Sequence, residues 1–148
     1  MPMASVKFDS GMKFVGESGS GHTVVMDSSP EVGGQNQGVR PMELVLLALG
    51  GCTGIDVISI LNKMRVTVDR FQMDLDGTRQ EEHPKVFRTI ALNYRFWADP
   101  GVTDKISRAV HLSQEKYCSV SGMLSQAARI EAKIYVNDEL VETLQPVT

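Results

Sequence analysis

Residues 44–49, Leu-Val-Leu-Leu-Ala-Leu, place the tightest limit on how this 148-residue chain can fold. They follow Pro41, which suits the first position of a helix because the N–H it lacks would have no partner there. The helical stretch then runs to Lys63 or Met64. A helix that is apolar on every side has to be buried on every side. Residues 4–27 offer only short strands: Ser5–Phe8 and Met12–Val15 around Ser10-Gly11, then His22–Met26 after Gly19-Ser20-Gly21. One small sheet cannot cover such a helix. A second sheet of the same chain, or a partner subunit, must cover the rest.

The remaining pattern supplies a second sheet. Residues 28–39, rich in Gly, Asn and Gln around Pro30, form a loop of a length that is more often functional than idle. Val66–Glu82 and Val86–Ala98 read as two long strands joined through Glu81-Glu82-His83-Pro84, with Ile90, Leu92, Tyr94 and Phe96 in strict alternation. Asp99-Pro100-Gly101 breaks the chain, and Thr103 caps a helix to about Lys116. A short helical turn follows near Val120–Gln126, and Ile130–Val136 alternate as a last strand. The order is βββαββααβ in one α+β domain over residues 1–148.

Composition excludes several classes of function. A net charge of −3 with a pI near 5.6 provides no basic field for nucleic acid or an anionic membrane. No positive segment precedes an apolar one at the N-terminus, and the run 44–49 is far shorter than the roughly 20 residues that cross a bilayer. The expected location is the cytoplasm, where thiols stay reduced and a disulfide is transient. Three scattered histidines and two distant cysteines form no zinc-finger spacing, so no metal and no cofactor is expected.

The two cysteines carry the candidate chemistry. A thiol becomes a nucleophile as its thiolate, and an unassisted cysteine has a pKa of about 8.5. Cys52 follows Gly50-Gly51, each of which costs about 1 kcal/mol in a helix interior relative to alanine. Thr53-Gly54-Ile55-Asp56 has the spacing of a capping box. If the helix breaks at the glycines, Cys52 lies at a helix N-terminus that favours the thiolate, and Asp56 is a cap. If it does not break, the glycines permit close packing and Cys52 is a small buried residue. Along an unbroken helix Glu43, nine positions earlier, faces away from Cys52; as an acid in the first turn it also suits the helix dipole. Cys118 lies between a helix and the turn-like Ser119–Gly122, with Glu115 and Tyr117 as neighbours and Tyr117 read as core. His111 would have to fold back to serve Cys118 as a base. Phe87, Tyr94, Phe96 and Trp97 read as sheet packing.

Pro-Met-Glu-Leu at 41–44 leading to Gly-Gly-Cys-Thr-Gly-Ile-Asp-Val at 50–57, followed by Glu-Lys-Tyr-Cys-Ser-Val at 115–120, resembles the OsmC/Ohr superfamily of cysteine-dependent hydroperoxide reductases. The resemblance spans residues 4–137 and is closer to the less characterised OsmC-like branch. It implies antiparallel sheets around a buried central helix in an intertwined homodimer. It also implies Cys52 as the peroxidatic cysteine, attacking a small-molecule hydroperoxide, and Cys118 as the resolving cysteine, with an external dithiol restoring both. Members of the family carry a glutamate where this chain has Met42, so Glu43 is the substitute. They also bring an arginine from the N-terminal strands; residues 1–39 contain none, and Arg40 is the nearest candidate. The alternative function is a binding protein that keeps the fold and the thiols and holds an apolar small molecule or an electrophile.

Overall fold

The computed structural model describes residues 2–147, in two compact units, Met1–Val45 and Leu46–Thr148. The first unit is an antiparallel sheet in the order β1 (Ala4–Ser10), β2 (Lys13–Ser18), β3 (Thr23–Met26). Gly11, with a φ of 56°, makes the β1–β2 turn. The loop after β3 is organised by Asp27, whose buried carboxylate accepts the backbone N–H groups of Ser28 (2.7 Å), Gln35 (3.1 Å) and Gln37 (3.1 Å). These bonds, with that from Gln37 the largest influence, hold the Asp27 carboxyl below its ordinary range. A lowered folded pKa gives stability that is present above the unfolded value of about 3.9 and is lost as pH falls through the folded one. The Gln35 and Gln37 amides should therefore lose hydrogen-exchange protection as pH falls from about 4 to about 2. In Asp27→Asn they should be poorly protected across that range, and unchanged protection in the variant would remove Asp27 from this role.

Helix α1 (Pro41–Lys63) runs unbroken through Gly50-Gly51. In the second unit the reason is visible. A Cβ at Gly50 would stand 3.0 Å from Leu75 Cδ1, and one at Gly54 2.7 Å from Met73 Cε. The glycines let the helix lie close on the sheet, which offsets their low helix propensity. Leu49, Thr53, Val57 and Leu61, four residues apart, form the buried stripe. Burial on every side is not what a single chain provides: Leu47 is 58% and Ile55 74% exposed. By length and a mean hydropathy of 2.2, α1 would pass for a bilayer-crossing segment. Its polar Thr53 and Asp56 are instead bonded to residues of the second unit.

The second sheet runs β4 (Arg70–Arg79), β5 (Phe87–Trp97), β6 (Arg129–Val136), β7 (Glu139–Thr143). Ile90, Leu92, Tyr94 and Phe96 are fully buried, as their alternation requires, and Phe71 stacks on Phe96 at 4.3 Å between ring centroids. Two details extend the expected pattern. β5 and β6 are parallel, whereas the other pairs are antiparallel, because the chain crosses between them through α2 (Thr103–Leu112) and α3 (Ser119–Leu124). β7 is an additional strand, turned back at Asn137-Asp138, both with positive φ, as a tight hairpin needs. The helix expected to reach Lys116 ends at Leu112 and continues as a wider π-helical turn, Ser113–Tyr117.

Candidate functional site

The second unit brings together two residues far apart in sequence. Cys52 Sγ, on α1, Cys118 Sγ, at the start of α3, and a carboxylate oxygen of Asp56 all lie within 4.8 Å of one another. Both cysteines are free thiols; Cys52 is half-buried and Cys118 is 5% exposed. One turn of helix separates Cys52 from Asp56, so both side chains project from the same face of α1.

A buried polar chain builds the floor of this site. Thr53 Oγ1 lies 2.6 Å from the Tyr94 hydroxyl and 2.7 Å from Ser113 Oγ. Ser113 donates to Asp56 Oδ2 at 3.1 Å, which orients the carboxylate. Gln114 donates to the Tyr94 hydroxyl at 2.6 Å and accepts from Ser121 Oγ at 2.9 Å. The wider turn at Ser113–Tyr117 is what presents Ser113 and Gln114 inward on consecutive positions. Burial pushes the Tyr94 hydroxyl up, so it stays protonated within the chain of bonds. No buried side-chain polar atom lacks a partner among the described residues.

Several expectations change here. Cys52 is in the middle of a continuous helix, not at a helix N-terminus, so the dipole does not assist it. Thr53 and Asp56 are not caps but members of the buried network. Cys118, not Cys52, is the N-cap residue: its sulfur accepts the Ser121 N–H at 3.4 Å. Burial nevertheless pushes the Cys118 thiol up to about 12, against the lowering by that N–H, and neighbouring Cys52 and Asp56 add to the rise. Tyr117 is half-exposed rather than core, with the Lys116 ammonium 5.2 Å from its ring centre. His111 serves neither thiol, because its ring bonds Glu115 (3.1 Å) and Glu142.

Arg40 and Glu43 are placed by their own loop. The Arg40 N–H donates to Glu43 Oε1 at 2.8 Å, the return half of a capping box at the start of α1. The Arg40 guanidinium donates to Asn36 Oδ1 (2.9 Å) and Gly38 O (3.2 Å). Pattern reading did not single out Ser113, Gln114 and Ser121. Isolated polar residues in a helical stretch look like solvent-facing positions; the wider turn directs Ser113 and Gln114 inward, and Ser121 is turned inward on α3.

A half-exposed thiol in the middle of a long core helix, with a second thiol beside it at a helix start and strands in this order, is the arrangement of an OsmC-type protein, and comparison agrees. The family described as "OsmC-like protein" matches residues 34–133. Protein YhfA of Escherichia coli K12 is 42% identical over 127 residues, covering 86% of this chain and 92% of that protein. The crystal structure of a hypothetical protein from Aquifex aeolicus superposes with a TM-score of 0.77 at 30% identity, covering 90% and 94% of the two chains. An organic hydroperoxide resistance protein OsmC from Legionella pneumophila shares the fold, with a TM-score of 0.65 at 14% identity and coverage of 92% and 98%. The chain belongs to the OsmC family.

Proposed function

We propose that this protein is a thiol-dependent hydroperoxide reductase of the cytoplasm, with Cys52 as the peroxidatic and Cys118 as the resolving cysteine. The observation that carries the reading is the juxtaposition of two free thiols within 4.8 Å, one half-exposed and one buried. The Cys52 thiolate attacks the peroxide O–O bond of ROOH and takes one oxygen as a sulfenic acid, while the other leaves with a proton as ROH. Cys118 then attacks the Cys52 sulfur and expels water, which leaves a disulfide. An external dithiol reduces that disulfide and becomes oxidised itself. Sulfur–sulfur bond formation at about 2.05 Å needs the sulfurs to approach by at most about 2.8 Å. A thiol as hard to ionise as Cys118 needs a base at the moment of attack, and the Asp56 carboxylate is within reach of it. Along the unbroken α1 Glu43, nine positions before Cys52, faces away from it, so Glu43 and the adjoining Arg40 are given no role at the Cys52 of the same chain in this proposal. Organic hydroperoxide consumption with dithiothreitol tests the reading; no turnover above the protein-free rate would reject it.

The active form in this proposal is a homodimer. Leu47, Gly51, Ile55 and Ile58 form an exposed apolar stripe on α1, and a groove of about 600 Å³ runs beside it, lined by Gly50, Gly54, Ile55, Ile58, Phe71 and Met73. A two-fold partner covers each stripe with the other copy's, as closed symmetry favours. Ile55→Arg, which places a charge in that contact twice per dimer, is expected to weaken association by roughly 100-fold or more. Sedimentation at low micromolar concentration reads this out. A wild-type species of 16.3 kDa would refute the dimer.

The same groove supports a second reading, in which an apolar ligand occupies it and the thiols trap electrophiles without turnover. Stoichiometric thiol loss without catalytic peroxide consumption would favour that reading.

A further inference from the structure

The donor set around the thiols is also that of a metal site, and we propose that the reduced protein binds one zinc ion through Cys52, Cys118 and Asp56. Zinc takes thiolate sulfur at about 2.3 Å and carboxylate oxygen at about 2.0–2.2 Å in a tetrahedron, which sets its donors about 3.8 Å or less apart. Here the two sulfurs and the carboxylate oxygen already lie within 4.8 Å of one another, so closing on an ion takes a contraction of about 1.3 Å or less per pair. Three protein ligands leave a fourth position for water, as in zinc sites that stay open.

The surroundings are built for ligands as well as for thiols. Ligating carboxylates and sulfurs are oriented by an outer layer of donors. Ser113 Oγ donates to Asp56 Oδ2 at 3.1 Å, and the Ser121 N–H donates to Cys118 Sγ at 3.4 Å. Ser113 and Ser121 are themselves fully buried and held, through Thr53 and Gln114, by the Tyr94 hydroxyl. Fully ionised, the three ligands carry a charge of −3, which a divalent cation reduces to −1; zinc deprotonates a coordinating thiol outright. A cavity of about 110 Å³ lined by Asp56, Ser59, Ile60, Lys63 and Tyr117 adjoins the carboxylate residue.

Metal binding and the disulfide exclude each other, because both use the same two sulfurs. With a hydroperoxide as oxidant, the zinc dithiolate, ROOH and two protons give the disulfide, free zinc, ROH and water. The binding itself does not rest on the peroxidase reading; only this release step does.

Cobalt(II) is the spectroscopic probe. Titrated anaerobically into the fully reduced, metal-free protein, it should saturate at one ion per chain. The spectrum should show the intense visible bands of four-coordinate cobalt and a near-ultraviolet thiolate-to-cobalt band, and zinc should remove both. Asp56→Asn should weaken binding at least about tenfold while keeping the thiolate band. Cys52→Ser and Cys118→Ser should each diminish that band. Wild-type protein that shows only the weak bands of six-coordinate cobalt overturns the proposal, whatever the variants do. So does a Cys52→Ser/Cys118→Ser double variant that binds as tightly as wild type. Peroxide consumption by the metal-free protein, measured on the same preparation, shows separately whether the peroxidase reading stands.

Discussion

Replacing Cys52 by serine is expected to lower dithiol-dependent hydroperoxide turnover by about 10³-fold or more, the scale on which loss of a covalent nucleophile is felt. A serine hydroxyl cannot take the peroxide oxygen as a stable sulfenic acid, and Cys118 is too buried and too hard to ionise to take over. Cys118→Ser should behave differently. Its first turnover should proceed, because the attacking sulfur and its access are intact, and the sulfenic acid on Cys52 should then persist long enough to be trapped by a dimedone-type reagent. Mass spectrometry of both variants after one equivalent of peroxide distinguishes the roles. Trapping at Cys118 in the Cys52→Ser variant, with turnover retained, would reverse them.

The second large effect is a difference in alkylation between the two thiols. Burial is the largest cause that pushes the Cys118 thiol up to about 12, and it persists without Cys52, so little Cys118 thiolate exists at pH 7. Because the folded pKa is raised, the reactive form grows about tenfold with each pH unit and does not level off before that pH. In Cys52→Ser, iodoacetamide labelling of Cys118 should therefore rise with unit slope from pH 7 to 10 without a plateau. In Cys118→Ser, the half-exposed Cys52 should label at least about 100-fold faster at pH 7, since access and ionisation both act against Cys118. The contrast also sets the order of the proposed chemistry, with Cys52 meeting peroxide first. A Cys118 rate that levels off near pH 8, equal to that of Cys52, would reject both the pKa and the order.

Much of the fold was legible from pattern alone, and the reason is local. Period-two alternation at Ile90, Leu92, Tyr94 and Phe96 leaves one face apolar, and all four residues are fully buried. Pro41 begins α1, where its missing N–H costs nothing; Thr103 begins α2 as its first helical residue rather than as its cap, since Val102 holds the cap position and the Thr103 hydroxyl donates to Pro100 O at 2.8 Å. The last strand, β7, was missed because Glu139–Thr143 is largely exposed and so carries little apolar signal. The parallel pairing of β5 with β6 is likewise a matter of where the crossover helices deliver the chain, which no residue in either strand specifies.

The site divides along the same line. The sequence by itself singled out two thiols, in the patterned segments at 50–57 and 115–120, on a core helix and beside a helix end, as the residues to which the proposed chemistry is assigned. It also determined that one small sheet could not cover α1. Tertiary structure alone decided whether the helix breaks, because the low propensity of Gly50 and Gly54 is offset only by the approach of Met73 and Leu75. It decided that Thr53 and Asp56 belong to a buried network, because their partners Tyr94 and Ser113 are remote in sequence. It also decided which cysteine is hard to ionise. A thiol's pKa follows from desolvation and neighbouring charge, and both depend on what the rest of the chain brings within a few ångströms of the sulfur.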